Sequence, residues 1–214
     1  MKSVNRTTKP DILQQHAADW TKELLDQIAL TGKYSKVDEK YKTRYRDKQI
    51  QAALKKMYDN RCCYCEGLLE LDGYGRVEHF RPKSIFPHLC YDWNNLHWCC
   101  EICNNLKSDQ WDDNNPVLDP TQDQIDDFLK LDLMTGMYES IDNNPRAEAT
   151  IKFTALNRPQ LTKARIDIIH EWIQWYKKFR NKDEFIRLLH QHLVGFSCQY
   201  PDAVRVVLDS LEKK

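Results

Sequence analysis

No run of about 18 apolar residues occurs in the 214-residue chain, which argues against a membrane-spanning helix. The opening stretch, MKSVNRTTKPDILQQ, lacks the apolar core of a secretory leader, so the expected location is cytoplasmic. There is no internal repeat and no low-complexity linker. An excess of basic charge is also missing, because 32 Lys and Arg balance 32 Asp and Glu. Free-standing nucleic-acid binders usually carry such an excess. A nucleic-acid substrate would therefore have to be gripped locally, or with help from a partner chain. The zero is a cancellation: residues 1–61 hold 14 Lys or Arg against 8 Asp or Glu, whereas residues 111–150 hold 2 against 10.

What is present suits a protein that is α+β and mainly helical, one compact domain able to bury a core without disulfides. Four zones are expected. Residues 1–60 give N-terminal helices after a frayed tail at 1–9. Leu13, Ala17, Trp20, Leu24 and Ile28 recur at helical spacing after Pro10 and stop at Thr31-Gly32. A second helix is expected over about 38–58, with Ile50, Leu54 and Met57 facing inward. Its approach, YSKVDEKYKTRYRDK, reads first as a solvated helix face, and its composition could alternatively grip phosphates and stack bases. Residues 61–110 carry the chemistry. Residues 111–158 are acidic and rich in turns, with short strands expected near 128–139 and 149–155. Residues 159–214 are helical, with an apolar period close to 3.6 from Ile166 to Leu193 and a last helix opening at Pro201. Trp172, Trp175 and Tyr176 in this zone either form a docking face or cover the chain's own core.

Eight cysteines in a chain read as intracellular would be reduced, and clustered ones point to metal. Cys62 and Cys65 form one CxxC pair and Cys100 and Cys103 another. Four thiolates close a tetrahedral cage and leave no open position, so a zinc ion held there is structural. Cys63 and Cys99 adjoin the pairs as rivals with poorer spacing; Cys90 and Cys198 read as buried thiols. Trp93, Trp98 and Trp111 are expected to pack the small core around the zinc.

Between and after the pairs the order is Glu78-His79, Asn95-Leu96, Asn104 and Lys107. This order resembles the zinc-bearing HNH endonucleases, which implies a central ββα-metal core, a β-hairpin followed by a helix, flanked here by the N- and C-terminal helices. Glu78 stands where that family more often has Asp, and Asn104 where it often has His. The stretches VEHFRPKS, YDWNNLHWCCEICNNLKSD, PVLDP and TALNRPQLTKAR resemble the HNH subunits (PtuB) of Septu anti-phage systems. That resemblance implies an ATPase partner subunit of the PtuA kind.

The residue types fit phosphodiester hydrolysis, which needs a base for water, a cation for developing charge and help for the leaving oxygen. His79 has the intrinsic basicity for the first task. Glu78 and Asn104 are hard oxygen donors suited to a catalytic Mg²⁺ or Mn²⁺. Asn95, with Asn94 as its rival, would hold the His79 loop through its amide. Lys107 would share a helical face with Asn104 and reach a phosphate. Arg81 and Lys83 are the expected substrate contacts. His88 and His97 read as structural. DNA is the first expected substrate; structured RNA such as tRNA, and a catalytically silent zinc module that binds a partner, are the alternatives.

Overall fold

A computed structural model describes residues 1–69, 75–193 and 198–212. The chain is α+β and mainly helical. The first helix, α1 (Asp11–Thr31), buries Leu13, Ala17 and Leu24, and ends where Gly32 turns left-handed (φ 80°) and its N–H bonds the Ile28 carbonyl. The single helix expected over 38–58 is instead two, α2 (Glu39–Lys42) and α3 (Lys48–Met57), separated by a 3₁₀ turn at Arg44–Arg46. Side-chain competition makes the break. Asp38 and Asp47 each accept from a backbone N–H two residues on, so each starts its own helix, and the Thr43 hydroxyl takes the Glu39 carbonyl.

The tail expected to fray does not. Val4 N–H bonds the Pro120 carbonyl at 2.7 Å, and the Arg6 guanidinium bonds the carbonyls of Trp93, Asn94 and Leu96 at 3.0, 3.1 and 2.6 Å. Three carbonyls without strand partners draw in one five-donor side chain. A lone arginine in a polar stretch has no periodicity to announce this.

Strand β1 (Gly75–His79) pairs antiparallel with β2 (Leu96–Cys100), with Gly75 opposite Cys100, Glu78 opposite His97 and His79 opposite Leu96. Gly75 must be glycine, since a Cβ there would lie 2.0 Å from the Trp98 ring. Helix α4 (Glu101–Lys107) follows β2 without a loop because Cys100 is its N-cap, the thiol accepting from Cys103 N–H at 3.3 Å. The GYG stretch that leads into Glu78-His79 reads as a Gly-rich turn from sequence, and its first two residues, like all of 70–74, lie outside the described ones.

Beyond α4, β3 (Leu129–Leu131) pairs with β4 (Tyr138–Ser140) where short strands were expected. The second stretch, 149–155, is mostly helix: α5 spans Pro145–Phe153. Asn144 caps it through the N–H groups of Arg146 and Ala147, with Pro145 in its first turn, and this start signal outweighs the β-branched Thr150 and Ile151. The long C-terminal period divides into α6 (Pro159–Lys178) and α7 (Lys182–Leu193), because Phe179 is extended and folds onto Phe185 beside Trp172 and Tyr176. Those aromatics cover the chain's own core; Trp175 alone of the group is largely exposed, at 54%. Helix α8 (Pro201–Glu212) opens at the expected proline and buries Val204, Val207 and Leu211. Among the described residues no helix is long and apolar enough to cross a membrane.

Candidate functional site

The cysteine cluster is built by two turns. Between α3 and β1 the chain doubles back, with Cys62 N–H on the Gly67 carbonyl and Glu66 N–H on the Cys62 carbonyl, both at 3.0 Å. Cys63 N–H bonds the Trp98 carbonyl at 2.8 Å and ties this knuckle to β2, so Cys62 and Cys65 face the thiols at the start of α4. The sulfurs of Cys62, Cys65, Cys100 and Cys103 all lie within 4.8 Å of one another, and all four residues are buried. That set can hold one metal ion, and four soft sulfurs in a closed cage are the chemistry of structural zinc. The Arg158 guanidinium donates to Cys103 Sγ at 3.4 Å; burial opposes its charge, yet Cys103 beside it holds its pKa above the ordinary arginine value. Cys63 and Cys99 are not idle neighbours: with Cys62 they form a second buried trio within 4.8 Å, and Cys62 and Cys99 stand 3.6 Å apart. The trio lacks a fourth thiol.

A polar cavity of about 740 Å³ opens beside this cluster. Glu78, His79, Asn104 and Lys83 all line it. Successive strand residues point to opposite faces. Glu78 and His79 share one cavity because His79 is the last residue of β1, where the chain leaves the sheet. The His79 ring is buried, edge-on to Tyr45 at 4.5 Å, with Nε2 3.0 Å from the Cys90 carbonyl. A carbonyl only accepts, so Nε2 carries the proton and Nδ1 keeps its lone pair. Burial first, then the charge of Lys83, pulls the His79 pKa down to about 3, so the ring is neutral at pH 7.

Glu78 lies at the cavity wall with its carboxylate buried. Oε1 pairs with Lys107 Nζ at 2.6 Å and Oε2 accepts from the Asn104 amide. Burial pushes the Glu78 carboxyl above the usual range, and Lys107 is the main opposing influence. Lys107, expected to share a face with Asn104 and reach a phosphate, is fully buried, and its ammonium also donates to the His79 carbonyl at 3.0 Å. The reason is local: a buried carboxylate needs a counter-charge, and the inner face of α4 supplies it. Lys107→Met, which strands that carboxylate, is expected to cost about 3–5 kcal/mol of stability at pH 7. The folded state would then bind the Glu78 proton more tightly than the unfolded chain, so the deficit should shrink as pH falls toward 5. Urea titrations at the two pH values check both points.

Asn95 is spent on the loop that follows His79. Its Oδ1 accepts from Arg81 N–H at 2.8 Å and its Nδ2 donates to the carbonyls of Arg81 and Leu89, each at 3.1 Å. Asn94 engages through its backbone, its carbonyl accepting from Arg6 and its N–H donating to Asp92 Oδ1. Arg81 and Lys83 part company: Lys83 faces the cavity, whereas Arg81 lies over the Phe86 and Trp111 rings and lines a different hollow. Trp111 therefore packs there, edge-on to Phe80 and Phe86, while Trp93 and Trp98 are in the core. His97 is an interior group, held by the Tyr58 hydroxyl at 2.5 Å, and His88 lies edge-on to Phe86 away from the cavity. Sequence reasoning missed Gln51, Arg76 and Asn105 on the cavity wall. Tyr45 and Arg46, also on it, sit inside the YKTRYR stretch, whose composition left both readings open.

No family model matches the chain. It is 27% identical over 153 residues to the Septu protein PtuB of Bacillus mycoides (strain KBAB4), across 58% of this chain and 52% of that protein. It is 37% identical over 83 residues to the Septu protein PtuB of Bacillus thuringiensis, across 38% of this chain and 32% of that protein. The chain thus resembles Septu PtuB proteins over a part of its length, and spans about half or less of theirs.

Proposed function

We propose that the chain is a metal-dependent endonuclease of the HNH kind, acting in the cytoplasm as effector of a Septu-type anti-phage defence. The observation that carries this reading is a neutral, buried imidazole with a bare Nδ1, in one cavity with a carboxylate and a carboxamide. His79 Nδ1 takes the proton of the water that attacks phosphorus. The Cys90 carbonyl, already on Nε2–H, steadies the imidazolium that results. The bond to the 3′ oxygen breaks, that oxygen takes a proton from solvent water, and a 5′-phosphate and a 3′-hydroxyl result. Lys83 offers positive charge to the phosphate. Asn95 fixes the loop behind His79, and Lys107 keeps Glu78 ionised and aimed.

Glu78 and Asn104 would hold Mg²⁺ or Mn²⁺: two hard oxygen donors, already in hydrogen-bond contact, face the same cavity, and half a turn of the amide presents its oxygen. The cation's contribution is to neutralise charge on the phosphate and the departing oxygen. The thiolate cage would hold a structural zinc. An ATPase subunit of the PtuA kind is the proposed partner, which fits a chain with no basic excess of its own.

The test is cleavage by the chain, alone and with the ATPase subunit, of duplex DNA, single-stranded DNA and tRNA, in Mg²⁺, Mn²⁺ and EDTA. Metal-dependent nicking of DNA is expected. Cutting confined to tRNA would move the substrate to RNA, and no cutting of any of the three with either metal would sink the nuclease reading.

A further inference from the structure

One piece of the cavity comes from outside the knuckle, the hairpin and α4. The 3₁₀ turn Arg44–Arg46, between α2 and α3, brings Tyr45 and Arg46 to its wall. Arg46 sits with Cζ 5.6 Å from the Tyr45 ring centroid, and Lys83 with Nζ 5.5 Å from the same centroid. Two cations thus share one ring. They stand no farther apart than about three nucleotides of a strand rising ~3.4 Å per phosphate. Neighbouring cations are already engaged: Lys42 with Glu39 at 2.9 Å, Arg44 with Glu23 at 2.6 Å, and Arg76, also on the cavity wall, with Glu101 at 3.2 Å. Among the described residues Arg46 and Lys83 have no salt bridge.

The turn is also braced. Arg46 N–H bonds the Thr43 carbonyl at 2.9 Å, Asp47 N–H bonds the Arg44 carbonyl at 3.0 Å, and the Gln51 amide bonds the Arg46 carbonyl at 2.5 Å. A cation on a braced turn loses less entropy on meeting an anion than one on a loose loop. Tyr45 is 5% exposed and, among the described residues, is the one tyrosine, phenylalanine or tryptophan on the wall.

We infer that the Tyr45–Arg46 turn and Lys83 form a two-cation clamp for the phosphodiester backbone of a nucleic-acid strand, at the mouth of the cavity that holds Glu78, His79 and Asn104. The clamp rests on the nuclease reading and adds to it a grip that ignores base sequence. Because Tyr45 also touches the His79 ring, the gripped strand is delivered beside the proposed base.

The test uses the full chain carrying His79→Ala, to prevent turnover, and fluorescein-labelled 20-mers of two unrelated sequences, as single-stranded DNA, duplex DNA and single-stranded RNA. Affinity is read by anisotropy across a salt series. Arg46→Gln and Lys83→Gln should each weaken binding about 5–10-fold at 0.1 M salt. Each should lower the slope of log K against log salt by about 0.7 on single strands or 0.9 on duplex, equally for both sequences. Lys163→Gln, an exposed lysine paired with Asp167 on α6, should change nothing. Thermal melts of each variant show that the fold is intact. If the parent binds and both slopes stay unchanged, or if the losses depend on base sequence, the clamp is wrong while metal-dependent cutting by the unmutated chain still supports the nuclease. If the unmutated chain neither cuts nor binds any of the strands, the nuclease reading and the clamp fall together.

Discussion

His79→Ala is expected to lower single-turnover cleavage by about 10²–10⁴-fold, the usual worth of a positioned general base. Alanine removes the Nδ1 lone pair, and it also leaves the Cys90 carbonyl without its ring donor and opens space beside Tyr45. A loss of rate could therefore be mistaken for a loss of fold. His79→Asn separates the two, since its amide can still donate to the carbonyl while offering no base. Both variants should be inactive, and His79→Asn should melt near the parent. A His79→Asn protein that cuts within about fivefold of the parent would remove His79 from the chemistry. The pH profile is a second reading. With its pKa near 3, His79 contributes no acid limb near 6.5. Glu78, pushed up by burial, must lose its proton before it can hold a cation, so the acid limb of kcat/KM is expected to belong to Glu78. Linkage gives the stability effect its sign. The unfolded chain takes up this histidine's proton near 6.5 and the folded one only near 3. The contribution is therefore complete above 6.5 and lost as pH falls through that window.

What the sequence shows and what it hides divide along a physical line. Spacing along the chain is legible: the CxxC pairs, the start of α1 at Pro10, the start of α8 at Pro201 and the inward set Ile50, Leu54 and Met57 all follow from local pattern. Direction is less so. Lys107 and Asn104 stand three apart on α4 as expected, but the pattern does not say that a buried Glu78 pulls the lysine inward. Competition between local signals is harder still. Asp38, Thr43 and Asp47 divide an apparent helix, and Asn144 with Pro145 turns an expected strand into α5. Contacts across long separations leave no local trace. Arg6 closing the carbonyls at the start of β2, and the Tyr45–Arg46 turn reaching a cavity built largely from residues 75–109, appear only when the chain is folded.

Removing the metal from the thiolate cage should undo both the fold of residues 61–107 and the site. Binding of structural zinc is worth roughly 10–16 kcal/mol at pH 7, as much as the whole stability of a typical domain, about 5–15 kcal/mol. Among the described residues the sheet of this region is one hairpin of five-residue strands, and isolated hairpins are marginal in water. Among the described residues the backbone tie from the knuckle to β2 is the bond from Cys63 N–H to the Trp98 carbonyl. Cys100 and Cys103 belong to the cage, and Asn104 and Lys107 follow on the same helix, so a released cage lets α4 turn and breaks the contacts of Asn104 and Lys107 with Glu78. The expected result is one zinc per chain. It should be lost to a strong chelator at mildly acidic pH, with loss of the cooperative melt and of cleavage even when Mg²⁺ is in excess. Cys103→Ser should reproduce this, while Cys63→Ser and Cys99→Ser should keep the zinc. The opposite pattern, zinc retained by Cys103→Ser and lost by Cys63→Ser or Cys99→Ser, would place the ion on the trio around Cys62. It would also detach the cage from α4, leaving Asn104 to be held by Glu78, and Lys107 by Glu78 and the His79 carbonyl.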